Sequence, residues 1–416
     1  MLEALRAGRR NLVVLAVFAC SLSAPHGPVL AADAVTQWSE FAIAPKLGDY
    51  HWHSVVLMHA AMHDALNAIQ PRFGRWTAAR SEEPGAAGAL PEAAVPAAAY
   101  TVLAFERPSQ REAIDAMFAN ALAAVPDGPG KASGIALGRA IGAATVARRN
   151  GDREVQVAPF PSGTEPGVWR LEPPFFRPAM TARYEPFAFP ASEESPVPLP
   201  PPLGSAAYLE VVAEVRTLGA KNSARRTPAQ TGAALYWADQ NSQRNFHALA
   251  VRLLASRPPP HDLWESARTM ALLSFALTDS FLLAWPAKAR FNRWRPITAI
   301  QEGGFGVVAD PDWRPLVPTP PHPEHPSGHA TDCSAGARVL EMLLALGRQP
   351  VRYVAIDNDG DPGREYPGLI AAAEECAASR LWAGVHFRSA NEAGAILGQA
   401  VAERVVQTML QPLPAR

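Results

Sequence analysis

Pro323-Glu324-His325-Pro326-Ser327-Gly328-His329-Ala330-Thr331 follows a proline-rich loop, Pro311 to Pro321, and opens a helical run. A Pro-Ser-Gly at the start of a helix leaves backbone N–H groups without intrahelical partners, facing any incoming anion at the positive end of the helix dipole. Gly328 lets the backbone approach closely. Ser327 adds a hydroxyl donor, and His329 stands where it can give or take a proton on the anion. The plain alternative is a capped helix with an incidental histidine.

Two further segments flank this one. Upstream lies Lys288-Ala289-Arg290-Phe291-Asn292-Arg293-Trp294-Arg295-Pro296. On one continuous helix Lys288 and Arg295 share a face about 10 Å apart at ~1.5 Å per residue, within reach of one small anion held between them. Pro296 then ends the regular run. Alone, such a pair reads as a solvated basic face. Downstream lies Ser379-Arg380-Leu381-Trp382-Ala383-Gly384-Val385-His386-Phe387. Arg380 offers a planar fork for an oxyanion. His386 offers a ring nitrogen as nucleophile or metal ligand, although alone it reads as a core histidine.

Together, Lys-x6-Arg-Pro, Pro-Ser-Gly-His and Ser-Arg-x5-His resemble, in order, the three-part signature of the type 2 phosphatidic acid phosphatase and vanadium-dependent haloperoxidase superfamily. Gln37-Trp38 and Leu57-Met58-His59-Ala60-Ala61-Met62-His63-Asp64-Ala65-Leu66-Asn67-Ala68-Ile69 are similar to the opening helices of its soluble, exported bacterial branch. The resemblance implies a C-terminal helical bundle carrying an oxyanion site, with vanadate as cofactor or phosphate in its place. Lys288, Arg295 and Arg380 would hold its equatorial oxygens, with Ser327 and the Gly328 amide adding hydrogen bonds. His329 would be the acid–base residue, and His386 the vanadium ligand or phospho-acceptor. The implied partners are hydrogen peroxide, a halide and an organic acceptor, or a small phosphoester. Trp285, three before Lys288, and His322, five before Ser327, resemble the halide pocket of haloperoxidases that favour bromide and iodide; the bland reading of His322 is a surface loop. One position departs from the pattern. The third motif ordinarily has Asp four residues after its histidine, and here that position is Ala390. The loss of that carboxylate allows three outcomes: a weakened enzyme, a substitute acceptor, or a protein that only binds oxyanions.

Composition agrees with an enzyme-sized globular chain. Of 416 residues 48% are hydrophobic and 19% charged, which gives a sizeable core. Lys plus Arg is 38 against 39 Asp plus Glu, so a nucleic-acid binder working through a general basic field is excluded. Three cysteines exclude a disulfide framework, while Cys333 and Cys376 are left either to pair or to stay as separate buried thiols. Residues 1–32 read as a secretory signal: Arg6, Arg9 and Arg10, an apolar stretch from Leu12 to Ala19, then small residues to Ala32. Export to the periplasm or medium follows, and no later stretch reads as a transmembrane helix. By length the remainder divides by default into two compact units.

Periodicity predicts an all-α protein. Helices are expected over Tyr50–Ile69, Pro91–Phe105, Glu112–Val125 and Lys131–Arg148 in an N-terminal region, 33–158. They are expected again over Ala206–Leu218, Ala229–Leu254, Leu263–Arg290, Ala330–Leu346, Gly368–Ala383 and Asn391–Met409 in a C-terminal region, 206–416. Between them, residues 159–202 hold 13 prolines, which forbids long helices and predicts an extended connector, 159–205, docked through its aromatic residues. Asp279, inside an apolar stripe, must find a partner. His59 and His63, one turn apart, are read as packing, with a zinc grip as the alternative.

Overall fold

A computed structural model describes residues 33–77, 86–190, 196–238, 240–257, 262–356, 358 and 360–414. The predicted signal, residues 1–32, lies outside them. The described chain is mostly helical. In order the helices are α1 (Ala34–Ile43), α2 (Trp52–Ile69), α3 (Pro91–Glu106), α4 (Arg111–Ala123), α5 (Pro129–Arg148), α6 (Ala206–Leu218), α7 (Pro228–Tyr236), α8 (Ser242–Ala255), α9 (Leu263–Phe291), α10 (Pro296–Glu302), α11 (Gly328–Leu344), α12 (Leu369–Trp382) and α13 (Arg388–Thr408). Strands among the described residues amount to two short antiparallel ribbons. One pairs β1 (Ala158–Pro159) with β2 (Met180–Thr181); the other pairs β3 (Val351–Tyr353) with β4 (Arg364–Tyr366).

Local chemistry explains most boundaries. Asp33, Ser205 and Asp262 cap α1, α6 and α9 by accepting backbone amides of the first turn, and Thr227 with Gln230 forms a capping box on α7. The predicted helix Ala229–Leu254 is in fact two helices, because the Asn241 side chain accepts the Arg244 amide and starts α8 afresh. Pro129, two residues before the expected start at Lys131, is the first residue of α5, where a missing N–H leaves nothing unpaired.

Residues Ala32–Arg416 form one compact unit. The length-based expectation of two gives way because one core joins both halves: Leu57 and Met58 of α2, Val102 of α3, Phe275 and Leu272 of α9, and Leu397 and Val401 of α13 are buried in a single cluster. Helix α9 is long and apolar enough, by length and composition, to cross a membrane, contrary to the sequence expectation. Its most apolar window is 83% buried among neighbouring helices, which marks it as the central core helix.

Helix α11 lies hard against α13. A Cβ on Gly394 would stand 2.5 Å from the Ser327 carbonyl oxygen, and one on Gly398 would stand 2.3 Å from that of Thr331. Two glycines one turn apart therefore let the backbones touch and fix where α11 begins. Cys333 of α11 and Cys376 of α12 are joined in a disulfide, so the pairing alternative is the one realised. The connector packs over the core: Phe160, Trp169 and Phe189 are buried, whereas Phe176 is exposed. Asp279 of α9 supplies its anchor by accepting the amides of Phe187 at 2.7 Å and Ala188 at 2.8 Å.

Candidate oxyanion site

The three motifs meet at the junction of α9, α11 and α12. Lys288 and Arg295 do not lie on one continuous helix, in keeping with the expected helix Leu263–Arg290, which stops short of Arg295. Helix α9 ends at Phe291, Asn292 takes a left-handed conformation (φ 44°), and Arg295 is the extended residue that caps α10. The chain turns back, and that turn brings both cations to the loop before α11. Lys288 Nζ donates to the carbonyls of Pro323 (3.1 Å), Glu324 (3.3 Å) and Pro326. Arg295 donates from Nε to the His322 carbonyl (2.9 Å), from one terminal nitrogen to the Val385 carbonyl (2.6 Å) and His386 Nε2 (3.0 Å), and from the other to His322 Nδ1 (3.1 Å). Behind them, the turn after α12 wraps the Arg380 carbonyl, which accepts the amides of Val385 and His386. Gly384 makes that turn with φ 80°, and a Cβ there would meet the Gly219 carbonyl at 2.4 Å.

A cavity of about 310 Å³ opens onto this cluster. Gly328, His329, Arg380, His386, His322 and Trp285 line it, while Lys288, Arg295 and Ser327 stand fully buried behind the wall. Its mouth has an aromatic side, Trp52 and Phe281, and a polar side, Tyr50, Gln243 and Asp332. His322 is part of this wall: its ring lies 5.2 Å from that of Trp285 and 6.3 Å from Phe160. A larger open cleft of about 810 Å³, beside Tyr100, Phe105 and Arg139, carries none of the three motifs.

Burial dominates the electrostatics. It pushes His386 and His329 well below their ordinary range, and the neighbouring Arg295, Lys288 and Arg380 push the same way, so both rings are neutral. Arg295 falls to about 9 from burial and from Arg380, against the pull of Glu324. Lys288 is driven down by burial and by Arg295 and Arg380. Yet its nitrogen faces three carbonyl oxygens, one for each ammonium proton, and a neutral amine would leave one of them unpaired. The geometry therefore favours the charged form.

Two buried polar atoms bear on what fits here. Ser327 is the N-cap of α11, but its hydroxyl caps nothing, and Ser327 Oγ and His329 Nε2 have no hydrogen-bond partner among the described residues. Buried polar groups ordinarily find partners. Grouped with three cations at a helix N-terminus, one hydroxyl donor and one ring nitrogen suit an oxyanion such as vanadate or phosphate. The described residues hold no group of three or more His, Cys, Asp or Glu side chains able to bind a metal cation. The zinc alternative at His59 and His63 goes with that: His59 bonds Ser39 and Ser274, and His63 bonds Asp64.

Sequence reasoning missed two carboxyls. Glu324 Oε1 lies 3.1 Å from His386 Nδ1 and accepts the Phe387 amide at 2.8 Å. Burial raises it to about 7 while Arg295, the Phe387 amide and Lys288 pull it back. It stands inside the quoted motif, but 62 residues before its partner, so no local pattern announces the pairing. Asp332, one turn after His329, accepts from Ser242 Oγ (3.0 Å) and Gln243 Nε2 (3.3 Å); burial raises it to about 7.

Comparison with known proteins gives the class. Residues 268–413 match the family described as VCPO second helical-bundle domain. Vanadium chloroperoxidase of Curvularia inaequalis is 33% identical over 147 residues, 30% of this chain and 24% of that protein. The chain thus spans about a quarter of the length of this curated relative. Among solved structures, a bacterial vanadium-dependent iodoperoxidase superposes with a TM-score of 0.67 at 21% identity, over 92% of this chain and 96% of that one. A holo-type bacterial vanadium-dependent chloroperoxidase gives 0.62 at 18% identity, over 92% and 93%. These two likenesses establish the fold. The matched domain ties residues 268–413 to the VCPO second helical bundle.

Proposed function

We propose that this chain is an exported vanadate-dependent haloperoxidase that oxidises halide, bromide or iodide in preference to chloride, with hydrogen peroxide. The carrying observation is the pair of partnerless buried atoms, Ser327 Oγ and His329 Nε2, beside Arg295, Arg380 and His386. Arg295 and Arg380 hold the oxyanion by charge and fork geometry, with Lys288 close behind. Ser327 Oγ and the Gly328 amide donate to its oxygens. His386 Nε2, whose lone pair accepts from Arg295 at 3.0 Å, would hold the central atom once that guanidinium turned to an oxygen of the anion. His329 interacts with the Trp237 carbonyl. Its partnerless Nε2 leaves Nδ1 to make that bond, so Nε2 carries a lone pair that would take a proton from an oxygen of the bound anion. When bound, vanadate supplies a Lewis-acidic centre that activates hydrogen peroxide toward halide. The contact of Trp285 with His322 supports a halide site on the aromatic wall, where an organic acceptor would also enter. The disulfide supports export to an oxidising compartment.

The same cage would stabilise a phosphoryl-transfer transition state, with His386 as phospho-acceptor and His329 passing to the leaving oxygen a proton that Nε2 first takes up from water or substrate. One experiment separates the readings. Protein loaded with orthovanadate is assayed with peroxide and iodide, bromide or chloride, and metal-free protein with p-nitrophenyl phosphate. Turnover of bromide and iodide that H329A abolishes is the expected result. Clear chloride turnover overturns the halide preference, and phosphatase activity that vanadate only inhibits overturns the peroxidase reading. Binding of vanadate with neither activity leaves an oxyanion-binding protein.

A further inference from the structure

The geometry points to Glu324 as the positioning residue for His386, a carboxylate supplied by the loop before α11 in place of the one that Ala390 lacks on α13. This rests on the proposed role of His386 toward an oxyanion. Arg295 donates to His386 Nε2 at 3.0 Å, and a guanidinium can only donate. Nε2 therefore carries the lone pair and Nδ1 the proton. The Nδ1–H in turn donates to Glu324 Oε1 at 3.1 Å. That tautomer presents Nε2 to the cage, and a carboxylate on the distal nitrogen orients the ring and makes Nε2 more basic. The backbone of Glu324 is held on both sides: its amide donates to the Arg293 carbonyl at 3.0 Å and its carbonyl accepts Lys288 Nζ at 3.3 Å. The carboxylate is thus fixed by the same loop that carries Ser327. Ala390 is fully buried in the first turn of α13 and contributes only a methyl group.

A purely structural role is conceivable, since Glu324 also accepts the Phe387 amide that starts α13. The test separates the two. Orthovanadate affinity is measured by calorimetry for wild type, E324Q, E324A and E324A/A390D, and the imidazole N–H region is followed by proton NMR without vanadate. Loss of such a partner weakens metal affinity by about 10–100-fold. E324A should therefore fall in that range, E324Q, which keeps an acceptor for Phe387, near its lower end, and E324A/A390D should recover to within a few fold of wild type. A slowly exchanging downfield imidazole proton should be present in wild type, absent in E324A and restored in the double variant. Single variants that bind vanadate like wild type, or a double variant no tighter than E324A, overturn the inference. If wild type binds no vanadate, the functional reading fails by itself. The imidazole proton then decides this contact: its loss and return in the variants support the pairing, and its absence from wild type overturns it.

Discussion

Replacing Asp279 by Asn tests how the connector is held to the core. Asp279 is fully buried in α9 and accepts two backbone amides, from Phe187 and Ala188. Burial raises its carboxyl from the ordinary 3.8 to about 7, against the pull of both amides and of Arg149. The folded value lies above the unfolded one. The group therefore favours the folded state fully below about pH 4, and that contribution is lost as pH rises through about 7. At roughly 1.4 kcal/mol for each pH unit, the gap amounts to about 4 kcal/mol. Asparagine does not titrate. Like the protonated acid, it offers one accepting oxygen and turns a donor toward the second amide, so the two proteins start close together in acid. Between pH 4.5 and 8 the stability difference should shift toward D279N by about 3 kcal/mol, since part of the gap is already lost at pH 4.5. For a chain of this size that is roughly 4 °C in relative unfolding midpoint. Thermal unfolding followed by circular dichroism at both pH values measures it. Parallel pH profiles for the two proteins would refute the reasoning and mean that the amide pair keeps Asp279 ionised throughout.

The α11–α13 contact predicts opposite signs for two glycine substitutions. G398A places a Cβ 2.3 Å from the Thr331 carbonyl oxygen and 2.9 Å from the Ala335 amide, so it should destabilise by about 1–3 kcal/mol, whereas G232A, with open space around the same atom in α7, should stabilise by up to about 1 kcal/mol. Thermal midpoints check both, and equal effects would remove backbone contact as the cause. Reduction of the Cys333–Cys376 disulfide, which closes a sequence separation of 43, should lower stability by up to about 4 kcal/mol, read as a fall in unfolding midpoint with dithiothreitol that C333S/C376S does not show.

Much of this was legible in the sequence because it is local. Helical period placed most helices within a few residues, and Asp279 announced itself as a charge that burial would force into partnership. What the sequence hid is what depends on turns and on distance. Asn292 in a left-handed conformation turns the chain after the expected helix, and no residue pattern around it announced that this turn would carry Arg295 back toward Lys288. Asn241, a competent cap in mid-run, splits one predicted helix into two. Glu324 and His386 meet only because α11 and α13 touch through Gly394 and Gly398, a packing event between segments far apart in the chain.

The cage explains why its members sit where they do. Lys288, Arg295 and Arg380 are each buried, and each lowers the proton affinity of another, so the fold gathers cations whose mutual repulsion works against it. Backbone carbonyls absorb part of that repulsion: three accept from Lys288, two from Arg295 and one, that of Trp237, from Arg380. Dipoles offset a charge without neutralising it, and the carboxyls of Glu324 and Asp332, both raised to about 7 by burial, offset it only in part. The cluster therefore keeps a net positive field directed at the partnerless Ser327 hydroxyl and His329 nitrogen. An anion of charge two or three with several oxygens satisfies the field and the donors together, whereas a monoatomic halide could meet only part of either. On the proposed reading, that difference would make the oxyanion the resident group and leave a halide to the aromatic side, against Trp285 and His322.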